Sequence, residues 1–135
     1  MEKSVILNVV EEILFKKGKR LVDSNILILG VAYKKNSDDP RESPAWQIIK
    51  LLLDGGATVN YSDPYIPSIP RVVCGFKTIS IPLTAKNLEK YDCVVLVTDH
   101  NDFDYQFICD HSKAIVDTRN AFKFITDSEG KIFKA

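Results

Sequence analysis

The stretch ILILGVAYKKNSDDPRESPAWQIIKLL, residues 26–52, places an apolar run, a charged loop and an amphipathic segment in immediate succession. The run NILILG at residues 25–30 is continuously apolar, as in a parallel strand that is covered on both faces. Ser43 and Pro44 suit a helix start, because serine caps helix N-termini and proline fits the first helical position. Gly55-Gly56 predicts the end of that helix. Its expected buried stripe comprises Ala45, Ile48, Ile49, Leu52 and Leu53.

Further strand patterns follow along the chain. The segments ATVNYSDP (residues 57–64), CVVLVTDH (93–100) and KAIVDTRN (113–120) predict strands, and GKIFKA (130–135) predicts a final short one. Strands that alternate with helical patterns over short connections indicate an α/β fold. We therefore predict a Rossmann-like three-layer sandwich with a mostly parallel sheet, in which right-handed crossovers place helices on both faces.

The connections contain two more helical segments. Residues 83–91 predict a helix capped by Thr84, and residues 103–111 predict one or two helical turns. The segment YIPSIPRVVCGF, residues 65–76, is expected to be an irregular surface connection because it holds two prolines within a few residues. A short edge strand is expected over residues 77–81.

The chain opens with a segment whose pattern predicts an amphipathic helix. A boundary is predicted near residues 19–25, which divides the chain into residues 1–24 and 25–135. The apolar stripe of this helix has helical spacing and needs cover, so we expect it to dimerise or to fold back on the sheet. Its members are Val5, Ile6, Val9, Val10, Ile13 and Leu14.

Composition narrows the class of protein. The 135 residues suit one domain, and the formal net charge of zero gives no bulk support for a nucleic-acid or membrane-surface partner. No apolar run approaches the roughly 20 residues of a membrane span, and no signal peptide is recognised. Three cysteines in no metal-binding spacing favour buried thiols in a reducing cytoplasm, so we expect no metal site and a cytoplasmic protein. They are Cys74, Cys93 and Cys109.

Three polar clusters follow predicted strands, at residues 33–41, 98–100 and 117–120. Ligands of parallel sheets bind beyond the carboxyl ends of the strands. Lys34, Arg41 and Arg119 are therefore expected to converge into an anion site, with Tyr33 available for stacking. In proteins with a G-x-G-x-x-G motif or a P-loop, backbone N–H groups contact the phosphates. The chain has neither motif, so these side chains would bind phosphate instead.

Other interpretations of these residues remain open. Lys34 and Lys35 suit solvated loop lysines equally well, and Arg41 with Glu42 suits an ordinary ion pair. His100 could be catalytic, although a capping or solvent-facing histidine is the more ordinary interpretation. Asp99 and Asp117 suit turn formation, and no nucleophile–base–orienter set is recognisable, so no catalytic residue is assigned.

The segment GVAYKKNSDDPRESPA, residues 30–45, resembles the G-x-A-[YF]-K-x-x-[ST]-x-D-x-R-E-S-P motif of the UDP-glucose/GDP-mannose dehydrogenase family. Three further stretches are similar to that family's C-terminal domain in order and spacing. They are YSDPYIP (residues 61–67), VVLVTDHNDF (94–103) and IVDTRN (115–120). Residues 7–25 also resemble the end of the family's long central helix and the link that follows it.

The resemblance implies an oxidoreductase that uses NAD to oxidise the C6 hydroxyl of a nucleotide sugar to a carboxylate. It implies that residues 25–135 are the UDP-binding domain and that residues 1–24 end the central helix. The family's glycine fingerprint and cysteine nucleophile motif are both missing here. We therefore expect a fragment that is not catalytic alone, whose partners are a UDP-sugar, the missing N-terminal and central domains, and further copies in a homo-oligomer.

The resemblance also implies roles for individual residues. Tyr33 and Lys34 would line the UDP-sugar pocket, Arg119 would contact the nucleotide sugar, and Arg41 would lie on the cofactor side near NAD. Residues 94–120 look more like the branch that acts on UDP-N-acetylhexosamines than the UDP-glucose branch. Two alternatives remain: a stand-alone regulatory or interaction domain derived from such an enzyme, and an independent enzyme that uses Asp99 or His100.

Overall fold

The computed structural model describes residues 3–69 and 78–135. Cys74, Lys77 and most of the connection at residues 65–76 therefore lie outside the described residues. The helices are α1 (Lys3–Lys16), α2 (Ala45–Asp54), α3 (Ala85–Leu88) and α4 (Tyr105–His111), and Leu21–Asp23 form one 3₁₀ turn. The strands are β1 (Asn25–Leu29), β2 (Thr58–Ser62), β3 (Ser68–Ile69), β4 (Thr78–Ile79), β5 (Cys93–Leu96), β6 (Ile115–Asp117) and β7 (Ile132–Lys134).

Five strands form one sheet in the order β2-β1-β5-β6-β7, and every neighbouring pair is parallel. The strand order reverses between β1 and β5, which marks the point where open α/β sheets usually bind ligands. β3 and β4 form a separate antiparallel pair. The predicted α/β fold with a parallel sheet is confirmed. The charged loop at residues 33–41 follows β1 and therefore lies beside the point where the strand order reverses.

Alternate residues of the strands supply two hydrophobic layers. Ile26 and Ile28 of β1 pack in the layer that contains α1 and α2, whereas Leu27 and Leu29 pack in the layer that contains α3 and α4. Successive side chains of a strand point to opposite faces of the sheet, so a strand that is buried on both faces needs apolar residues at every position. This is the predicted three-layer arrangement.

The first helix folds back on the sheet. Its residues Ile6, Val10, Ile13 and Leu14 are at most 4% exposed, and they share a core with α2, β5 and β6. Fold-back was one of the two predicted ways to cover this stripe. The predicted stripe was too wide, since Val5 remains 44% exposed. Helix α1 and the strand–helix units therefore have one common core.

Helix α2 begins and ends close to where the sequence predicts. The Ser43 hydroxyl accepts a hydrogen bond from the Ala45 N–H at 3.1 Å, and Pro44 precedes the first helical residue. Gly56 has a φ of 92°, which suits the turn after the helix. Leu53 was wrongly placed in the buried stripe, because it is 39% exposed.

The remaining elements are shorter than predicted. Thr84 caps α3 by accepting a hydrogen bond from the Asn87 N–H at 3.1 Å, as predicted, but the helix covers four residues of the predicted nine. The described part of the predicted edge strand is the two-residue β4. Along the described ranges, no helix is long and apolar enough to cross a bilayer.

Candidate functional site

The three polar clusters lie at one edge of the sheet, because β1, β5 and β6 run parallel and each cluster follows one of them. Lys34 and Arg119 both follow strands that end at this edge, but of the three cations predicted to converge there, Lys34, Arg41 and Arg119, only Arg119 lines the pocket found at the edge. The side chains that meet there differ from the predicted set. A pocket of about 470 Å³ is lined by Lys35, Asp99, Asp117, Thr118, Arg119, Asn120, Lys134 and Ala135.

Three cations contribute to this pocket, which we call the edge pocket. Lys35 reaches it from the loop after β1, Arg119 comes from the loop after β6, and Lys134 ends β7. Its volume lies within the roughly 300–1,000 Å³ of ordinary small-molecule sites. Lysine and arginine side chains bind phosphate by charge-assisted hydrogen bonds, so the arrangement suits an anionic ligand.

Asp117 shapes the turn that presents Arg119. Its buried carboxylate accepts hydrogen bonds from the backbone N–H groups of Arg119 (3.0 Å), Ala121 (3.1 Å) and Phe122 (2.9 Å). The Thr118 hydroxyl donates to the Leu96 carbonyl at 2.7 Å, which ties the turn to β5. Asp117 is thus the turn-forming aspartate that the sequence predicts. Because these bonds hold the backbone, the exposed Arg119 side chain projects from a fixed base.

Asp99 lies between two of the pocket cations rather than in a turn-forming role. Its Oδ1 is 3.6 Å from Arg119 Nε, and its Oδ2 is 3.8 Å from Lys35 Nζ. Both distances exceed those of good hydrogen bonds, and Oδ1 is a buried oxygen without a hydrogen-bond partner among the described residues. The carboxylate therefore acts as a loose counter-ion between Lys35 and Arg119.

Below the pocket, the loop after β1 packs directly on the loop after β5. Gly30 has a φ of 82°, and a Cβ at this position would overlap the Thr98 carbonyl oxygen. The Thr98 hydroxyl donates to the Ala32 carbonyl at 2.9 Å. The glycine at position 30 is thus required for the close packing of these two loops.

A buried aspartate–histidine pair connects the loops after β1, β2 and β5. Asp63 Oδ2 lies 2.8 Å from His100 Nε2 and accepts the Val31 N–H at 2.8 Å, while Oδ1 accepts the Tyr65 N–H at 2.8 Å. His100 is 0% exposed, and its Nδ1 accepts the Asn36 N–H at 2.8 Å. The expectation of a capping or solvent-facing histidine was wrong, since both ring nitrogens are buried and paired. A catalytic role for His100 has no structural support because substrate cannot reach the ring.

Tyr33 and Lys34, which were assigned from the family motif, are both exposed. Tyr33 is 54% exposed, and its backbone N–H donates to the Asp39 carbonyl at 2.8 Å. Lys34 is exposed and is not among the residues that line the edge pocket. The structure thus places Lys35, rather than Lys34, beside Arg119.

Arg41 is held within its own loop. Its Nε and Nη2 donate to the two carboxylate oxygens of Asp39 at 3.0 Å each, and this partner differs from the expected Glu42. The hydrogen bond from the guanidinium lowers the pKa of Asp39 below its usual value. Arg41 is not among the residues that line the edge pocket.

The sequence argument missed Lys35, Lys134 and Asp63. Lys134 is the last residue of β7 and Asp63 directly follows β2, so the rule that placed Arg119 could have found them. No rule of sequence could choose between the adjacent lysines, because the direction of a loop side chain depends on the local backbone. Asn36, with a φ of 59°, sets that backbone.

The described cysteines are buried thiols, as predicted. Burial raises the pKa of Cys93 to about 12, and burial also raises the pKa of Cys109. A thiol is nucleophilic only as the thiolate, so neither residue suits nucleophilic catalysis. No group of three metal-ligating side chains occurs in residues 3–69 and 78–135.

Comparisons with known proteins point to one family. Residues 27–124 match the profile of the UDP-glucose/GDP-mannose dehydrogenase family, UDP binding domain. A UDP-N-acetyl-D-mannosamine dehydrogenase of Methanococcus maripaludis is 35% identical over 105 residues, which cover 70% of this chain and 22% of that protein. A UDP-glucose 6-dehydrogenase of Rickettsia bellii is 34% identical over 113 residues, which cover 79% of this chain and 25% of that protein.

A solved structure agrees with these relatives. The structure of the UDP-D-ManNAc dehydrogenase from Pyrococcus horikoshii matches with a TM-score of 0.72 and 25% identity, over 98% of this chain and 29% of that one. The chain thus spans about a quarter of the length of the proteins it matches.

Proposed function

Because the chain belongs to the UDP-glucose/GDP-mannose dehydrogenase family, we propose that it is the nucleotide-sugar-binding part of an NAD-dependent UDP-sugar 6-dehydrogenase. The observation that carries this proposal is the edge pocket, where Lys35, Arg119 and Lys134 meet at the carboxyl edge of the sheet. Three cations at one pocket suit a diphosphate. That the diphosphate carries a uridine and a sugar is inferred from the family.

In the proposed reaction, a cytoplasmic enzyme oxidises the C6 hydroxyl of a UDP-hexose or a UDP-N-acetylhexosamine to a carboxylate for polysaccharide biosynthesis. Arg119 and the loop of Tyr33 and Lys34 hold the nucleotide sugar, with Lys35 as the lysine nearest Arg119. Binding orients the substrate, and the hydride acceptor is NAD. Since the chain has no G-x-G-x-x-G fingerprint and spans about a quarter of its relatives, NAD is bound mainly by a separate N-terminal domain, with Arg41 on its cofactor side.

The proposal assigns no catalytic residue to this chain. Residues 1–24 end a central helix, residues 25–135 form the UDP-binding domain, and the assembled enzyme is a homo-oligomer with N-terminal and central domains. Cys93 and Cys109 do not suit a nucleophile, which supports an isolated chain that binds without catalysing. Sequencing the reading frame that encodes the chain separates this proposal from a stand-alone interaction domain, because only an enzyme requires an NAD-binding domain in frame.

The binding role is tested by NMR titration of the isotope-labelled chain with UDP, with uridine and with inorganic diphosphate. We expect weak binding, in which UDP and diphosphate shift the backbone amides of Lys35, Thr118 and Arg119 and uridine shifts them less. Each charge-assisted hydrogen bond to phosphate contributes about 1.5–3 kcal/mol, so Arg119→Gln should weaken UDP binding about tenfold or more.

Lys90→Gln is the matched control, because Lys90 is exposed and lies before β5, at the other end of the strands. It should leave the titration unchanged. Identical shifts with UDP in the wild type and in Arg119→Gln would refute the assigned pocket.

A further inference from the structure

The loop after β5 contacts the loop after β1 through three consecutive residues. Asp99 forms an ion pair with Lys35 at 3.8 Å, His100 Nδ1 accepts the Asn36 N–H at 2.8 Å, and the Asn101 N–H donates to Asn36 Oδ1 at 2.9 Å. The two residues held in this way are the pocket lysine and its immediate neighbour.

The central contact is the strongest of the three, because the imidazole is fixed on both sides. Asp63 accepts from His100 Nε2 at 2.8 Å, and the Tyr105 hydroxyl donates to the His100 carbonyl at 2.6 Å. The ring of Tyr65 packs edge-on against the imidazole at 4.8 Å. With 0% exposure and a partner at each nitrogen, the ring cannot turn without breaking two hydrogen bonds.

These hydrogen bonds also assign the tautomer. An N–H cannot donate to a protonated nitrogen, so Nδ1 carries a lone pair toward the Asn36 amide. The proton is then on Nε2, where it is donated to the carboxylate of Asp63. Asp63 therefore selects the tautomer that can hold Asn36.

The held residue has an unusual backbone. Asn36 has a φ of 59°, a left-handed conformation that asparagine adopts more readily than most residues and that is held here by hydrogen bonds to His100 and Asn101. Asn36 follows Lys35 directly, so its conformation decides on which side of the loop the lysine emerges. Without the His100 contact, the loop would be free to leave this conformation.

We propose that His100 is a positioning residue: its Nδ1, oriented by Asp63, fixes the backbone of Asn36 and thereby holds Lys35 at the edge pocket. The inference rests on the proposed function at one point only, namely that Lys35 binds an anionic ligand at the edge pocket. His100 touches no ligand itself and acts through the loop.

Two variants of His100 test separately its hydrogen bond to Asp63 and its hydrogen bond to the Asn36 N–H. His100→Gln retains a donor for Asp63 but removes the acceptor for the Asn36 N–H. His100→Asn places an amide oxygen near the position of Nδ1, so it retains the acceptor and loses the link to Asp63. Thr84→Ala serves as the control, because it removes a helix cap remote from the loop and lowers stability without touching it.

The first measurement is hydrogen exchange at the Asn36 amide, which needs no ligand. We expect about tenfold faster exchange in His100→Gln, and near wild-type exchange in His100→Asn and Thr84→Ala once each is corrected for global stability. The second is the nitrogen spectrum of the imidazoles, with His111 as the internal reference. Wild-type His100 should show an unprotonated Nδ1 and a protonated Nε2.

The third measurement is the affinity for UDP and inorganic diphosphate, which should fall about threefold to tenfold in His100→Gln and recover in His100→Asn. Affinity that follows global stability across the three variants, or Asn36 exchange unchanged in His100→Gln, would overturn the positioning role. Absence of UDP binding in the wild type would overturn the proposed function instead, and the exchange and tautomer results would still decide the inference.

Discussion

Two aspartates at the same edge of the sheet have opposite surroundings. The carboxylate of Asp63 is fully buried and has three partners at 2.8 Å, namely Val31, Tyr65 and His100. The Asp99 side chain is 21% exposed, and its two cationic partners lie at 3.6 and 3.8 Å. The comparison teaches that the inner carboxylate determines the shape of the loops, whereas the outer one leaves Lys35 and Arg119 available to a ligand.

The physical reason is the cost of leaving buried polar groups without partners. A buried donor that loses its acceptor costs about 1–3 kcal/mol, so an inner network is stable only when every member is paired. A partly exposed ion pair contributes much less because water screens it.

The largest effect is expected from Asp63→Ala. The substitution removes the acceptor for three donors, two of them backbone N–H groups, and should lower the free energy of unfolding by about 3–5 kcal/mol. Urea denaturation measures the change. Asp23→Ala is the control: the Asp23 side chain is 57% exposed and pairs with Arg20 at 3.3 Å, so a change within about 0.5 kcal/mol is expected. Equal effects at the two positions would contradict the comparison.

Gly30→Ala should follow in size. The new methyl group would overlap the Thr98 backbone and would occupy a positive φ, so we expect a loss of about 3 kcal/mol. Gly18→Ala provides a matched case, because Gly18 has a φ of 73° with no atom within 4 Å of the new Cβ. Conformation alone then costs about 1 kcal/mol. Thermal unfolding of both variants measures the two losses of stability, and their difference is the contribution of loop packing at Gly30. Equal losses in the two variants would show that the loops separate easily.

A third aspartate, Asp92, extends the comparison to a paired carboxylate whose pKa is lowered in the folded protein. Burial tends to raise the pKa of Asp92, but the hydrogen bonds from Lys19 Nζ at 2.8 Å and the Asn25 N–H at 2.9 Å outweigh it and lower the pKa. A lowered folded-state pKa stabilises the fold above the unfolded value of 3.8, and this stability is lost as the pH falls through the folded-state value.

Asp92→Asn should therefore cost about 1 kcal/mol at neutral pH, after allowance for screening at the half-exposed Lys19, and less at strongly acidic pH. Urea midpoints of the wild type and the variant across acidic pH measure this convergence. A difference between the two proteins that stays constant below pH 3.8 would rule out the carboxylate as its source.

The smallest effect on stability is expected from Asp99→Asn. The free energy of unfolding should change by less than about 0.5 kcal/mol, because the carboxylate has no close partner. The same change removes the anion that competes for Lys35 and Arg119, so inorganic diphosphate should bind about threefold more tightly. Asp54→Asn is the control, since Asp54 pairs with Lys50 at 3.5 Å on the exposed face of α2. Weaker diphosphate binding in Asp99→Asn would mean that Asp99 organises the pocket instead.

Most of the fold follows from local pattern. Apolar runs at β1, β5 and β6, the Ser43–Pro44 helix start and the Thr84 cap each depend on nearby residues, which is why the sequence predicts them well. Element lengths were less accurate at α3 and β4, where a few residues contribute too little local preference to define the ends.

The site was predicted in part. That Lys34 and Arg119 share one edge follows from parallel strands alone, so the sequence was sufficient for it. That Lys35 lines the pocket, that Arg41 pairs with Asp39, and that Asp99 lies loosely between two cations all depend on loop backbones. Loop conformation is determined by contacts between residues far apart in the chain, and those contacts leave no periodic pattern.

The amino-acid sequence by itself determined a parallel α/β sheet with a cationic carboxyl edge, because burial periodicity and helix caps act over a few neighbouring residues. Only the tertiary structure decided which cations meet. Asp63 and His100 are 37 residues apart, and their hydrogen bond exists only after β2 and β5 have joined the same sheet. From that bond follow the conformation of Asn36 and the position of Lys35, neither of which a local pattern encodes.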